Sequence, residues 1–146
     1  MTIRKMTIND YGGIYRLWLN TPGMGLNTLD DSIDGISKYL NRNPETCFVA
    51  EKDGEIIGVI MGGHDGRRGF IYHTAVKISE RNSGIGRTLV DRTMEALKEE
   101  GIHKVALVVY GKNEIGNKFW EDIGFITRED LVYRNKNITE LEHIDT

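Results

Sequence analysis

One glycine-rich stretch carries the residue types that bind phosphate. It reads Arg81-Asn82-Ser83-Gly84-Ile85-Gly86-Arg87-Thr88 and separates a strand-like apolar run from a segment with helical periodicity. The N–H groups of a first helical turn lack intrahelical partners, and glycine lets the backbone approach a phosphate without a Cβ in the way. Arg81 and Arg87 can each contact phosphate oxygens through two donors. The stretch therefore predicts an anion seat suited to a pyrophosphate.

Two familiar nucleotide-binding motifs do not fit this stretch. A P-loop requires Lys followed by Ser or Thr after its glycines, whereas Gly86 is followed by Arg87 and Thr88. A dinucleotide-binding turn follows the first strand and needs an acid about 20 residues later, a pattern that is absent here. Binding of ATP or a nicotinamide is thus not expected, and a tight structural turn remains the alternative to an anion seat.

The elements that must position this turn follow from hydrophobic spacing. Strands are predicted over residues 2–7, 47–51, 56–62, 70–78, 104–110 and 125–133, and helices over 10–20, 30–41, 85–97 and 115–122. The Asp53-Gly54 pair predicts a hairpin between the second and third strands, and residues from about 135 predict a polar tail. The order β-α-α-β-β-β-α-β-α-β indicates an α/β (α+β) fold with a mixed sheet flanked by helices.

Length and composition are typical of a single globular domain over residues 1–146. The chain is 39% hydrophobic and 28% charged with a net charge of -3, which argues against disorder and against a broad nucleic-acid footprint. Cys47 is the only cysteine, so no intrachain disulfide can form and a reducing, cytoplasmic location is expected. No stretch approaches the roughly 20 apolar residues of a membrane span, and the histidines lack metal-ligand spacing, so neither membrane nor metal is expected.

Three segments of the sequence together resemble the motifs of one known family. Arg81-x-x-Gly84-x-Gly86 resembles the Arg/Gln-x-x-Gly-x-Gly/Ala signature of the GNAT acetyltransferases. Downstream, the segment Asn113-x-x-Gly116-x-x-x-Trp120-x-x-x-Gly124-Phe125 resembles their Asn-x-x-Ala-x-x-x-Tyr-x-x-x-Gly-Phe pattern. Residues 72–76 resemble the family's fourth strand, and the order of elements agrees with a GNAT-like, mostly antiparallel sheet. Within the family, the chain resembles small bacterial single-domain members of the ribosomal-protein-alanine acetyltransferase-like group.

The resemblance implies an acetyl-CoA-dependent N-acetyltransferase. Such an enzyme moves an acetyl group to a primary amine, on a small molecule, a protein N-terminus or a lysine, by direct transfer in a ternary complex. Backbone groups near Ala75 and Val76 are implied to contact the pantetheine where two strands splay apart, and to polarise the thioester carbonyl. The other implied coenzyme contacts are Arg81, Asn82, Ser83, Gly84, Ile85, Gly86, Arg87, Thr88, Asn113 and Trp120.

The residues that move protons are harder to assign. The family often uses a tyrosine as general acid where this chain has Trp120, and an indole does not ionise usefully. Tyr133, Tyr110 and Tyr72 are candidate acids, and His73 is a candidate acceptor of the amine proton through water. Each also suits a purely structural role, and Cys47 is interpreted as a buried hydrophobe rather than an acylated nucleophile. The departure at Trp120 motivates the alternative hypothesis of a non-catalytic acyl-CoA-binding or regulatory module.

The sequence says least about the part of the site that binds the acceptor amine. Residues 23–31 are expected to form part of its wall, and Asp30, Asp31 and Asp34 either attract a cationic amine or merely begin a helix. The identity of the amine stays open. Self-association is open as well, with a homodimer through an exposed edge strand as one outcome.

Overall fold

The chain folds into four helices and seven strands, and the structure, a computed structural model, describes residues 1–146. In chain order these are β1 (Thr2–Lys5), α1 (Tyr11–Leu19), β2 (Leu26–Asn27), α2 (Ile33–Arg42), β3 (Cys47–Lys52), β4 (Glu55–His64), β5 (Gly69–Val76), α3 (Ile85–Glu99), β6 (Val105–Ala106), α4 (Glu114–Asp122) and β7 (His143–Ile144). Single 3₁₀ turns at Ile8–Asp10 and Ile78–Glu80 precede α1 and the loop before α3.

Five strands form one mixed sheet in the order β1-β3-β4-β5-β6. Its neighbours are antiparallel except β5 and β6, which run parallel. That parallel pairing involves only Gly69 with Val105 and Phe70 with Ala106. Because β5 continues to Val76 beyond these pairs, its edge stays unpaired toward its carboxyl end and the sheet opens there.

Helices cover both faces of this sheet. One core cluster joins α1 and α2 to the sheet, with Ile14, Trp18, Ile36, Val49 and Val59 fully buried. The other joins α3 to the opposite face, where the apolar stripe that predicted this helix is buried: Ile85, Leu89, Val90 and Leu97. These two layers confirm the predicted fold class, and they place β5 between α1 and α2 on one face and α3 on the other.

The predicted hairpin between β3 and β4 is present. Asp53 (φ 51°) and Gly54 (φ 77°) both occupy the left-handed region, and Lys52 pairs with Glu55 across the turn. This is the backbone of a two-residue turn that matches the twist of its strands, which is why the Asp-Gly pair was informative.

The carboxyl-terminal third departs from the predicted elements. The strand predicted over 104–110 is limited to Val105–Ala106 at a sheet edge, because Val108 and Tyr110 are exposed instead of buried at a sheet centre. The strand predicted over 125–133 is wrong: residues 125–142 form no helix or strand, and the apolar side chains of Ile126, Leu131, Val132 and Tyr133 are exposed.

The last residues are not a loose tail. β7 pairs antiparallel with β2, joining Leu26 to Ile144 and Asn27 to His143. Thr146 Oγ1 also accepts a hydrogen bond of 2.9 Å from Met24 N. The final strand of the chain therefore lies at 143–144 and fastens the loop between α1 and α2, which contains the short strand β2 that sequence spacing did not predict.

Candidate active site

The N-terminus of α3 is open to a ligand. Gly84 caps the helix in the left-handed conformation (φ 85°), and no side chain bonds the first-turn N–H groups. The first i to i-4 bond runs from Thr88 N to Gly84 O, at 3.0 Å, so the amides of residues 85–87 have no partner within the helix. These amides lie at the positive end of the helix macrodipole, which favours an anion.

Two arginines flank this open helix end. Arg81 is exposed and donates from Nε to Val76 O at 3.1 Å, which holds its guanidinium beside the last residue of β5. Neither Arg81 nor Arg87 forms a salt bridge with an acid of the chain. Both guanidinium groups therefore keep donors for phosphate oxygens.

The loop's two hydroxyls bond its own backbone. Ser83 Oγ donates to Glu80 O at 2.7 Å, and Thr88 Oγ1 donates to Gly84 O at 2.9 Å. Asn82 adopts a positive φ of 64°, which asparagine tolerates better than most residues. The side chains thus stabilise the turn, and the ligand-facing groups are backbone amides and guanidinium donors.

Gly86 has a packing role that its motif did not reveal. A Cβ at this position would come within 3.2 Å of the Phe119 ring on α4 and 3.7 Å of Val76 Cγ2. Phe119 was missed from sequence, and its place inside the Asn113-to-Phe125 segment was the signal that could have found it. Trp120 packs edge-on against Phe119 and Phe125, at 5.1 Å between ring centroids in each pair, as expected for a core residue.

Asn113 caps the helix that carries these aromatics. Its Oδ1 accepts from Gly116 N at 2.9 Å, so only its Nδ2 donors remain for a ligand. Asn117 Nδ2 donates to Tyr110 O and Asn113 O, at 3.0 and 2.8 Å, and ties down the turn before α4. Asn117 is therefore structural, while Asn113 combines a cap with a free amide donor.

A β-bulge interrupts β5 beside the open edge. Val59 pairs with Ala75 and Met61 with Tyr72, so His73 and Thr74 together face the single residue Ile60. His73 has a φ of 45°, a conformation that costs a non-glycine residue about 1–3 kcal/mol. Bulges of this kind redirect side chains and are common next to active sites. Ala75 beyond the bulge is buried, and Val76 is half-buried at the unpaired edge.

The bulge brings His73 to a buried carboxylate. His73 Nε2 lies 2.7 Å from Asp31 Oδ1, and Asp31 is only 3% exposed. The other oxygen, Asp31 Oδ2, accepts from Asn27 N at 2.8 Å, and Tyr11 Oη donates to Asp31 O at 2.7 Å. Trp18 Nε1 completes the arrangement by donating to His73 O at 3.1 Å.

This pairing was not predicted from sequence. His73 and Asp31 were candidates for separate roles, and they are 42 residues apart. Helix α2 begins at Ile33 with Ser32 Oγ as its cap, so Asp31 is not part of the helix start. Asp31 instead belongs to the same site as His73.

The candidate tyrosines occupy the exposed rim. Tyr110 is 52% exposed, with its hydroxyl 3.1 Å from where a Cβ on Gly25 would lie, and Tyr133 is 67% exposed. The pKa of the Tyr72 hydroxyl is raised, mainly because the side chain is partly buried and further because Tyr133 and Asp30 lie nearby. The structure thus unites His73 with Asp31 and leaves Tyr110 and Tyr133 at the surface.

Cys47 is excluded as a nucleophile by its surroundings. It is fully buried, its Sγ lies 3.3 Å from Gly62 O, and burial raises the pKa of the thiol to about 12. A thiolate is therefore not available at neutral pH.

No group of three or more His, Cys, Asp or Glu residues is arranged to hold a metal ion, and no helix has the length and apolarity to cross a membrane.

Comparison with known proteins assigns the chain to a family. The sequence model of the acetyltransferase (GNAT) family matches residues 11–125. The chain belongs to this family. An acetyltransferase of Sodalis glossinidius is 31% identical over 140 residues, which cover 96% of this chain and 97% of the relative.

Solved structures show the same fold. Ard1 from Thermoplasma volcanium gives a TM-score of 0.76 at 24% identity, covering 86% of this chain and 82% of that chain. The PaiA N-acetyltransferase from Thermoplasma acidophilum, in complex with coenzyme A, gives 0.75 at 20% identity, covering 87% and 90%. The predicted function, acetyl-CoA-dependent N-acetyl transfer, is confirmed by this assignment, and the non-catalytic alternative is not favoured.

Proposed function

We propose that the enzyme transfers acetyl directly from acetyl-CoA to a primary amine in a ternary complex, with the two substrates on opposite sides of β5. The observation that carries this proposal is the uncapped N-terminus of α3 beside the unpaired edge of β5. The first feature fits a pyrophosphate, and the second offers backbone groups to a pantetheine arm.

The donor is proposed to bind through main-chain groups and arginines. The amides of residues 85–87, together with Arg81 and Arg87, hold the pyrophosphate. The pantetheine follows the open edge of β5 near Ala75 and Val76, since backbone groups there have no strand partner. Asn113 Nδ2 is a further donor on this side.

The chemical step needs charge stabilisation and proton transfer. A backbone N–H near the bulge is proposed to polarise the thioester carbonyl, whose oxygen gains negative charge during attack. The departing thiolate is a weaker base than the attacking amine, so a rim tyrosine or water suffices to protonate it. Tyr110 and Tyr133 are the proposed tyrosines, because both residues are exposed and Tyr133 neighbours Tyr72, whose ring faces α2.

The acceptor is proposed to be a small-molecule amine, a protein N-terminus or a lysine side chain. The wall around it is supplied by the loop between α1 and α2, held by β7. Buried Cys47 supports direct transfer, since no accessible thiol could carry the acetyl group between two half-reactions.

We further propose that residues 1–146 act as one cytoplasmic domain that uses neither nucleic acid nor membrane. A single, reduced cysteine and the net charge of -3 support this proposal. A homodimer through the β6 edge is proposed as the assembled state, because Val108 next to that edge is exposed. Light scattering would give twice the chain mass for the dimer, and the chain mass alone would reject it.

Calorimetry with acetyl-CoA and an acetylation assay test the proposal together. The wild type should bind acetyl-CoA and acetylate at least one member of a panel containing lysine, spermidine, an aminoglycoside and a peptide with a free N-terminus. The double variant Arg81→Ala/Arg87→Ala should raise the Kd of acetyl-CoA about 10- to 100-fold, because two solvent-exposed charge-assisted contacts together contribute about 1.4–2.8 kcal/mol.

A matched pair of arginines provides the control. Arg67 and Arg68 lie in the turn before β5, at the other end of the strand, and Arg67→Ala/Arg68→Ala removes the same charge. This control should bind acetyl-CoA like the wild type. Absence of binding at millimolar acetyl-CoA, or an equal loss in both double variants, would overturn the proposed donor site.

A further inference from the structure

We infer that His73 accepts the proton of the acceptor amine and that Asp31 positions it for this task. The inference deepens the proposed N-acetyl transfer and rests on it. Three observations carry it: the hydrogen bond from His73 to the buried Asp31, the unengaged second ring nitrogen, and the bulge that turns His73 toward Asp31.

The hydrogen bond to Asp31 fixes the tautomer of His73. A carboxylate only accepts, so the proton shared with Asp31 Oδ1 lies on His73 Nε2. Nδ1 is then the ring's basic nitrogen, and no group of the chain bonds it. The buried side-chain polar atoms without partners are Tyr39 Oη and Thr74 Oγ1, so His73 Nδ1 is open to solvent. A histidine with one nitrogen oriented by a carboxylate and the other accessible is the arrangement of a general base.

The bulge accounts for the direction of the imidazole. Tyr72 faces α2, where its ring meets Tyr39 at 5.8 Å between centroids. Regular alternation would point the next residue to the α3 face. His73 instead meets Trp18 of α1 at 5.1 Å and Asp31 in the loop before α2. The positive φ of His73 is thus linked to its placement on the acceptor face, two residues before Ala75 at the proposed thioester site.

Aromatic rings and a buried carboxylate pack against His73. Trp18 packs from α1, Tyr72 from its own strand at 6.2 Å between centroids, and Ile60 lies opposite on β4. Asp31 supplies the carboxylate that contacts Nε2, and Asp31 is itself held by Asn27 N and buried away from water. These neighbours hold the imidazole in one orientation, as a base that must meet its substrate at hydrogen-bonding distance requires.

The proposed reaction moves one proton of the amine to His73 and one to the departing sulfur. An ammonium acceptor gives one proton to His73 Nδ1, directly or through one water, and the nitrogen lone pair forms the C–N bond at the thioester carbonyl. The C–S bond breaks with its electron pair on sulfur. The nitrogen's second proton reaches the sulfur as coenzyme A leaves as a thiol, and His73 returns its proton to solvent. Asp31 gains and loses no proton.

Another histidine of the chain provides a control with similar geometry. His64 Nε2 lies 2.9 Å from Glu100 Oε1, but its Nδ1 accepts a hydrogen bond of 3.0 Å from Gly66 N. Both ring nitrogens are therefore engaged, and the pair lies beside the turn between β4 and β5. His64→Gln removes a histidine–carboxylate pair without touching the site.

The test compares His73→Gln, Asp31→Asn and His64→Gln on the best amine of the panel named above. His73→Gln should lower kcat by about 10²- to 10⁴-fold near pH 7, with the KM of acetyl-CoA unchanged. The deficit should shrink above about pH 9, where the amine loses its proton unaided. Asp31→Asn should lower kcat about 10-fold or more, since an amide can donate to Nε2 and favour the wrong tautomer. His64→Gln should match the wild type.

A glycine variant guards against misfolding. Glycine accepts the φ of 45° at position 73 without strain, so His73→Gly should fold and bind acetyl-CoA, and added imidazole should restore part of its kcat. Wild-type kcat and pH profile in His73→Gln, or no imidazole rescue of a folded His73→Gly, would overturn the dyad while the acetyltransferase function stands. If the wild type acetylates no amine of the panel, the proposed function itself fails and the dyad's role with it.

Discussion

The two sides of β5 are built in different ways. Toward α3, the ligand-facing groups are the backbone amides after Gly84, which have no partner within the helix, and the exposed side chains of Arg81 and Arg87, which form no salt bridge. Toward α1 and α2, they are held in a buried network in which Asp31 bonds His73 and Trp18 bonds the His73 backbone. The α3 side thus offers many hydrogen-bond donors to a polyanion, and the α1 and α2 side fixes the orientation of one imidazole, that of His73.

This difference follows from what each substrate requires. A pyrophosphate is bound by charge and by amides that any sequence supplies, so the loop needs glycines and two cations rather than a rigid network. Proton transfer requires a base at hydrogen-bonding distance, so the imidazole must be oriented beforehand. Changes on the donor side, residues 81–88 at the start of α3, should therefore act on acetyl-CoA affinity. Changes on the acceptor side, formed by His73, Asp31 and Trp18, should act on kcat.

Gly86→Val should produce the largest loss of acetyl-CoA affinity. Its side chain would meet the Phe119 ring, which a Cβ alone already approaches to 3.2 Å, and would displace the first turn of α3 from α4. We expect Kd to rise at least about 100-fold by calorimetry, since the amides and Arg87 move together. Gly12→Val is the matched control, because the space around this glycine of α1 is open, with Arg16 Nη1 the nearest atom at 3.9 Å. Equal affinity in the two variants would contradict the packing role of Gly86.

Trp18→Phe should lower kcat and spare the donor side. Phenylalanine keeps most of the buried ring but removes the hydrogen bond to His73 O, which is worth about 1 kcal/mol and holds the bulge. We expect kcat to fall about 5- to 10-fold, with the KM of acetyl-CoA within about 2-fold of wild type. A rise in that KM with unchanged kcat would show that the two sides are not separable as described.

Ser83→Arg should tighten acetyl-CoA binding. Ser83 is exposed at the open end of α3, where its hydroxyl bonds only Glu80 O. A third guanidinium should lower Kd about 3- to 10-fold at low salt, with a smaller gain at high salt because exposed charges are screened. Unchanged affinity in low salt would place the pyrophosphate away from this loop.

Cys47→Ala should have the smallest effect on both sides. The thiol is buried in the core and its pKa of about 12 keeps it protonated, so neither substrate meets it. Steady-state kinetics should match the wild type, although the lost sulfur should reduce stability by about 1 kcal/mol. A loss of kcat in a folded Cys47→Ala variant would reopen the acyl-cysteine route.

The donor side could be predicted from sequence because it is local. The turn from Arg81 to Thr88 is continuous, and the apolar stripe of α3 identifies the helix that follows it. The hairpin at Asp53 and Gly54 was predictable for the same reason, since two residues set its backbone. Phe119 could not be identified as the neighbour of Gly86, because helix spacing does not tell which ring faces which helix.

The acceptor side depends on distant parts of the chain. His73 meets Asp31 only because a one-residue bulge shifts the register of β5, and strand periodicity carries no sign of that shift. The final strand was misplaced for a related reason: the apolar residues near 126–133 suggested a strand, yet the pairing partner of β2 is the short His143–Ile144 segment. Such long-range pairings leave little local pattern.

The central claim is tested most directly by following both products of the wild-type reaction. Thiol release and acetylated amine should be measured together while acetyl-CoA and the best amine of the panel are varied. We expect one thiol per acetylated amine and intersecting initial-rate lines, as direct transfer in a ternary complex requires. Thiol release without acetylated amine, or the parallel lines of a covalent acyl-enzyme, would contradict the account.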